Sequence, residues 1–136
     1  MLSFESVNVA IADAPVLRNV NFSLEPGATA ALIGRNGAGK TTTVRTIMGF
    51  TKANGTVRMD GQDLGLVTPH RRPSLGIGYA PEDRRLFSAF TVEENIRLPA
   101  EVMKLGEAEI ERRLERIYAV LPELADLRQR PAAGLS

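Results

Sequence analysis

The chain has 136 residues, of which 43% are hydrophobic and 24% are charged, and its formal net charge is +1. This length and balance are those of a globular domain with a hydrophobic core. The near-neutral charge argues against a broad basic surface for nucleic acid, which needs clustered excess Lys and Arg. The absence of Cys excludes disulfides, thiolate metal sites and a cysteine nucleophile.

The sequence shows no signal for insertion into a membrane. No apolar stretch approaches the roughly 20 residues of a membrane-spanning helix, and the first residues do not form a signal peptide. We therefore expect a cytosolic chain that meets a membrane only through partner subunits. The one histidine, His70, lies in a Pro- and Arg-rich stretch, and we assign it no role.

The chain opens with two predicted strands. Apolar residues separated by polar ones predict half-exposed strands, with Leu2, Phe4, Val7 and Val9 in the first and Val20, Phe22 and Leu24 in the second. Pro26-Gly27 then predicts a turn. The uncharged run Ala28–Ile33 predicts a strand buried on both faces, as in parallel sheets.

A glycine-rich loop follows, and after it the sequence predicts a helix from Gly39 to about Met48. Thr56–Met59 predicts a further strand that runs into a tight turn at Asp60-Gly61. In the Pro-, Gly- and Arg-rich region 69–87, the apolar centre Leu75–Ala80 predicts another buried strand.

From Thr91 the pattern changes to helix. Thr91 and Glu94 have the spacing of a capping box, in which the hydroxyl and the carboxylate satisfy backbone donors at a helix start. A longer helix, which Pro122 should end, is predicted by apolar residues at helical spacing: Ile110, Leu114, Ile117, Tyr118 and Leu121.

The glycine-rich loop contains the residues that predict a chemical function. Residues 34–42 read GRNGAGKTT and match the phosphate-loop pattern G-x-x-x-x-G-K-[ST] at every fixed position. Its glycines let backbone N–H groups turn inward around phosphate oxygens, and the next helix adds its positive end. We expect Lys40 to reach the β- and γ-phosphates and Thr41 to hold Mg²⁺. The predicted nucleotide contacts are Asn36, Gly37, Ala38, Gly39, Lys40, Thr41 and Thr42.

The loop alone does not choose among GTPases, small-molecule kinases, helicases and ABC ATPases. Over essentially its whole length, however, the chain resembles ABC-transporter ATPases. The resemblance rests on residues 17–27 (LRNVNFSLEPG), on the loop form NGAGKTT, and on the turn around Asp60-Gly61. Residues 76–87 (GIGYAPEDRRLF), 90–96 (FTVEENI) and 117–124 (IYAVLPEL) are similar to the ATPase subunits of branched-chain amino acid importers.

This resemblance implies an α/β P-loop NTPase fold with antiparallel entry strands, a strand–loop–helix unit and a helical subdomain. We expect a nucleotide-binding core over residues 1–87 and the helical subdomain over 88–136. The implied function is an ATPase subunit that couples ATP binding and hydrolysis to solute uptake, with branched-chain amino acids as the expected solute and ATP and Mg²⁺ as cofactors.

The resemblance also implies roles for two residues outside the loop. Glu82 occupies the position of the "Q-loop" Gln, which reaches Mg²⁺ and the attacking water, so Glu82 and Lys40 are the expected catalytic residues and Glu82 joins Thr41 as a metal ligand. Asp83 departs from the Gly usual in this subgroup. Counting back from Lys40 places Ile11 near the position of the adenine-stacking aromatic, where it offers apolar contact without a π-face.

The expected partners are membrane-spanning permease subunits and a second ATPase subunit. The permease should dock on the loop around Glu82 and on the helical zone, which places the chain on the inner face of the cell membrane. No nucleic-acid partner is expected, because interleaved acidic residues neutralise the Arg-rich region 112–130.

Leu135-Ser136 resembles the start of the family's signature sequence, Leu-Ser-Gly-Gly-Gln/Glu. The family's catalytic Glu, its Mg²⁺-side Asp and its switch His lie downstream of that signature, so we expect this chain alone not to hydrolyse ATP. We also expect marginal stability or a need for a partner, because Ala28–Ile33 would lack neighbouring strands. The alternatives are a non-catalytic nucleotide-binding module and another P-loop NTPase, such as a GTPase or kinase.

Overall fold

The computed structural model describes residues 1–83 and 85–134. The chain forms two compact units, Met1–Tyr79 and Ala80–Ser136. The functional division expected after Phe87 stays a prediction. Among the helices of the described residues, none has the length and apolar character needed to cross a bilayer.

The first unit is built on a four-stranded antiparallel sheet in the order β2-β1-β3-β4. Its strands are β1 (Leu2–Ile11), β2 (Ala14–Leu24), β3 (Asn54–Met59) and β4 (Gln62–Asp63). The β1–β2 and β1–β3 pairs share one register around Phe4, which lies opposite both Phe22 and Val57. These pairings confirm the two strands that the alternating pattern predicts and the antiparallel entry that the family resemblance implies.

Two tight turns connect the strands. Ala12 and Asp13 between β1 and β2 have φ of 47° and 63°, and Asp60 and Gly61 between β3 and β4 have φ of 49° and 82°. Paired positive φ values are the mark of the type I′ turn, whose twist matches that of the flanking strands. The turn predicted at Asp60-Gly61 is therefore confirmed.

One face of the sheet carries the hydrophobic core. The buried cluster consists of Phe4, Val7, Val9, Leu17, Val57 and Leu64. The rings of Phe4 and Phe22 stack with their centroids 4.5 Å apart. The helix α1 (Lys40–Ile47) follows the glycine-rich loop, as predicted, and its residue Ile47 packs against this cluster.

The strand predicted over Ala28–Ile33 is not formed, and this prediction was wrong for the described structure. These residues carry no strand assignment and are exposed, with Leu32 at 50% and Ile33 at 91% of full exposure. An apolar run becomes a buried strand only where other strands pair with its edges and other layers cover its faces. The four strands of the sheet pair antiparallel with one another, and none of them is a partner for this run.

The strand predicted over Leu75–Ala80 is also absent. A 3₁₀ helix spans Pro69–Leu75 and ends at Gly76, whose φ is 80°. Ile77 and Tyr79 are half-buried and alternate with exposed neighbours, so the period of a strand persists without strand pairing. Ile77 packs against the core cluster, and Tyr79 meets Phe50 edge-on at 5.8 Å.

The second unit is helical. It contains α2 (Val92–Val102), α3 (Glu107–Val120) and α4 (Glu123–Leu127). The predicted capping box starts α2: the Glu94 amide donates to the Thr91 hydroxyl at 3.2 Å, and the Thr91 amide donates to the Glu94 carboxylate at 2.7 Å. Ile110 and Leu114 are the buried residues of α3, and this helix ends just before Pro122, as predicted.

Arg97 joins α2 to α3 through carboxylates. Its guanidinium donates to Glu107 at 2.5 Å and to Glu111 at 2.6 Å on α3, and to Glu101 at 3.2 Å on α2. These hydrogen bonds raise the pKa of Arg97 well above its ordinary value and lower the pKa of Glu107. The Thr91 backbone amide likewise lowers the pKa of Glu94.

We expect the helical unit to lose helix content in acid. A carboxyl whose pKa is lowered on folding contributes stability above its unfolded pKa, about 4.3 for Glu, and this stability is lost as the pH falls through the folded value. Far-UV circular dichroism of the full chain should fall over that window. Glu94→Gln should weaken the acid dependence, whereas Glu115→Gln, at an exposed position on α3, should leave it unchanged. A flat profile would contradict this prediction.

Candidate functional site

The glycine-rich loop closes on itself before α1. The Ala38 amide donates to the Arg35 carbonyl at 3.1 Å. A Cβ on Gly34 would lie 3.1 Å from the Ala38 Cβ, so this close approach favours glycine. Gly37 and Gly39 have φ of 84° and 88°, in the left-handed region that glycine enters without a steric penalty. The sequence pattern and the loop conformation therefore agree residue by residue.

The end of the loop rests on strand β2. A Cβ on Gly39 would lie 2.7 Å from the Leu17 Cδ2 atom, and Leu17 belongs to the buried core. A larger residue at position 39 would have to displace the buried Leu17 side chain or shift the loop away from β2. The core of the first unit thus fixes where α1 begins.

The start of α1 is suited to an anion. The first N–H groups of an α-helix have no acceptor within the helix, and Gly39 at the N-cap supplies no side chain to satisfy them. These donors and the helix dipole favour negative charge at this end. Thr41 is exposed here, whereas Thr42 is 8% exposed.

The Lys40 side chain folds over the loop. Its ammonium donates to the Gly34 carbonyl at 2.8 Å and to the Arg35 carbonyl at 3.0 Å. An ammonium has three donors, so one is left for a ligand while two hold the loop closed. The residues therefore fit a phosphate group, because a glycine-rich loop, the N-terminus of α1 and the Lys40 ammonium follow one another in the chain.

Comparison with known proteins places the chain in a family. The family model described as "ABC transporter" matches residues 17–136. The chain belongs to the ABC transporter family. A solved "Structure of ATP binding subunit of ABC transporter" superposes with a TM-score of 0.86 and 31% identity, covering 100% of this chain and 56% of the other.

Curated members of the ABC transporter family are similar along most of the chain. A probable ABC transporter ATP-binding protein of Azorhizobium caulinodans is 37% identical over 89% of this chain and 43% of its own length. The probable branched-chain amino acid transport ATP-binding protein LivF of Archaeoglobus fulgidus is 31% identical over 100% of this chain and 57% of its length. The Nod factor export ATP-binding protein I of Cupriavidus metallidurans is 32% identical over 98% and 45%. The chain spans about half the length of these relatives.

Two other site residues that the sequence predicts, Ile11 and Glu82, lie outside the glycine-rich loop. Ile11 ends β1 in the first unit, beside the type I′ turn, and is 51% exposed. Glu82 lies in the second unit, in an exposed turn, and the neighbouring Asp83 pairs with Arg85 at 2.5 Å. Their roles stay predictions. The signature-like Leu135 and Ser136 lie outside the described residues.

Asn95 was not singled out from the sequence, although it organises the segment that leads from Glu82 into α2. Its side-chain oxygen accepts from the Phe87 amide at 2.8 Å, and its side-chain nitrogen donates to the carbonyls of Phe87 at 3.0 Å and Thr91 at 2.9 Å. One amide side chain thus binds both the N–H and the carbonyl of Phe87, and this carbonyl also accepts from the Phe90 amide at 3.0 Å. Asn95 directly follows the capping-box Glu94. This position is a local signal that could have indicated that its side chain binds nearby backbone groups.

Arg72 is the second residue that sequence reasoning missed. It is only 5% exposed, and its guanidinium donates to backbone carbonyls on α1 and in the segment after β4. Burial lowers the pKa of Arg72, and the charge of Asp63 partly offsets that effect. The neighbouring Arg71 is exposed, so composition gave no sign of which arginine is buried.

Proposed function

We propose that residues 34–42 bind the phosphates of Mg-ATP, and that the chain is part of an ATPase subunit of a transporter. The observation that carries this proposal is the Lys40 ammonium held 2.8 Å and 3.0 Å from two carbonyls of the loop, with one donor still to give. Family membership removes the alternative of a GTPase or small-molecule kinase.

Each part of the loop has a distinct task in this proposal. The amides of Asn36, Gly37 and Gly39 and the first turn of α1 bind phosphate oxygens, and the Ala38 amide joins them once it exchanges the Arg35 carbonyl for phosphate. Lys40 supplies a positive charge to the β- and γ-phosphates. The exposed Thr41 hydroxyl is the proposed Mg²⁺ ligand. Thr41 would hold Mg²⁺ there, and the ion would supply positive charge against the phosphates.

Two residues outside the loop also have roles in this proposal. We propose apolar contact of Ile11 with adenine, supported by its exposure at the end of β1. Glu82 is proposed as a catalytic and Mg²⁺-side carboxylate, supported by its Q-loop position and its exposure. An ATPase hydrolyses ATP, whereas a non-catalytic module only binds it. Phosphate release from Mg-ATP measures this difference directly.

A surface near Glu82 supports the proposed permease partner. Leu86, Phe87 and Phe90 are 52%, 56% and 38% exposed, and the two rings stack at 5.4 Å. Large apolar side chains grouped on a surface commonly mark a protein contact. The proposed assembly also includes a second ATPase subunit, at the inner face of the cell membrane.

Branched-chain amino acids are the proposed solute, supported by the likeness of residues 76–87, 90–96 and 117–124 to that subgroup and by the similarity to LivF. Relatives at comparable identity are named for Nod factor export and for spermidine/putrescine import. The proposal that the transporter is an importer therefore rests on the sequence motifs that resemble branched-chain amino acid importers.

The Mg²⁺ dependence of binding tests the loop. Equilibrium titration with a fluorescent ATP analogue should show affinity that falls when EDTA removes Mg²⁺. Thr41→Val should weaken Mg-ATP binding by about tenfold, as expected for the loss of one strong polar contact, and should also remove most of the Mg²⁺ dependence. Thr29→Val, at an exposed position before the loop, is the control. If Thr41→Val kept the full Mg²⁺ effect, the metal assignment would fail.

A further inference from the structure

Arg72 binds the far end of the phosphate-loop helix. Its guanidinium donates to the carbonyls of Thr46 at 3.0 Å and of Ile47, the last residues of α1. The same group donates to the Leu64 carbonyl at 2.6 Å and the Val67 carbonyl at 3.1 Å, in the segment after β4. One buried side chain therefore ties the end of α1 to the edge of the sheet.

The surroundings of the Arg72 side chain suit a guanidinium group. A Cβ on Gly49 would lie 2.6 Å from the Arg72 Cζ atom, so the chain after α1 comes close to the guanidinium only because position 49 is glycine. The carbonyls at a helix C-terminus carry partial negative charge and favour a cation. The planar fork reaches four carbonyls at once, which a lysine ammonium with three donors cannot do.

The helix is consequently held at both of its ends. The packing of Gly39 against Leu17 fixes the N-terminus of α1, and the hydrogen bonds of Arg72 fix its C-terminus. Eight residues of α-helix are about 12 Å long, so α1 behaves as a short rigid rod. If the C-terminal hold were lost, the rod would pivot about the Leu17 contact and turn the N–H groups of its first turn.

We propose that Arg72 is a positioning residue for nucleotide phosphates: by holding the C-terminus of α1 it sets the direction of the amides at the N-terminus. This inference rests on the proposed function of the loop. Geometry of this kind matters because preorganised donors bind charge well only when they already point at it.

The test separates positioning from stability. Arg72→Lys and Arg72→Met are titrated with Mg-ATP and with AMP at a temperature where circular dichroism shows the protein folded, and Arg71→Met is the exposed control. We expect the Mg-ATP affinity of both Arg72 variants to fall by roughly tenfold, within the usual range of coupling between sites. The affinity for AMP should change by less than about twofold, because AMP lacks the β- and γ-phosphates that Lys40 is proposed to meet.

Equal Mg-ATP affinity of folded wild type and Arg72 variants would overturn the positioning role, and loss of Mg-ATP and AMP affinity in equal proportion would overturn it too. Failure of the wild type to bind Mg-ATP would instead overturn the proposed function, and the inference with it. If neither Arg72 variant folds, amide hydrogen exchange of the wild type decides. Mg-ATP should slow exchange at Met48 and Gly49 more than at Val57, and equal slowing would refute the coupling.

Discussion

Lys40→Ala should weaken Mg-ATP binding by roughly 10- to 100-fold, the equivalent of losing one or two charge-assisted hydrogen bonds. The change removes the ammonium that the phosphates would meet. It also removes the hydrogen bonds at 2.8 Å and 3.0 Å that hold the Gly34 and Arg35 carbonyls, so the loop loses its closed form as well. Both effects act in the same direction, and equilibrium titration with a fluorescent ATP analogue measures their sum.

The matched control is Lys52→Ala. Lys52 is an exposed lysine of the same unit, away from the loop in sequence, so it tests the loss of one positive charge without the loop contacts. We expect less than about a twofold change, because exposed charges are screened by water and salt. Affinity that is equal in the two variants would remove the basis for the phosphate site.

Local patterns in the sequence were sufficient for much of the fold. The alternation around Phe4 and Phe22, the Asp60-Gly61 turn and the Thr91–Glu94 capping box each depend on residues within a few positions of one another. Such short-range rules are set by backbone geometry, and they hold whatever the rest of the chain does. The phosphate loop belongs to the same class, because its glycines and Lys40 act within nine consecutive residues.

The features that the sequence did not predict depend on contacts between residues far apart in the chain. Ala28–Ile33 has the composition of a buried strand, but burial needs neighbours, and the strands of the described sheet pair among themselves. Arg71 and Arg72 are the same residue type in adjacent positions, yet only Arg72 meets the carbonyls of Thr46 and Leu64. The Thr46 partner lies 26 residues away, beyond the reach of any local pattern.

Gly55→Ala should be the most destabilising single substitution among the glycines outside the loop. Gly55 has φ of 91° in strand β3, and a Cβ there would lie 2.4 Å from the Ser6 carbonyl oxygen and 2.7 Å from the Glu5 carbonyl oxygen. These are backbone atoms of β1, at a point where the register shifts between Glu5 and Asn8. The overlap cannot be relieved by rotating a side chain, so the β1–β3 pairing itself must open.

The expected loss is about 2–5 kcal/mol of unfolding free energy, from the strain of a positive φ together with overpacking. That is a large share of the stability of a small domain. Urea titration followed by circular dichroism measures the loss. Gly61→Ala separates the two contributions, because its φ is 82° and no atom of the residues that the structure describes lies within 4 Å of its Cβ position. Gly61→Ala should cost only the strain, about 1–2 kcal/mol. Equal losses for the two variants would show that the close approach of Gly55 to the Ser6 carbonyl does not constrain the sheet.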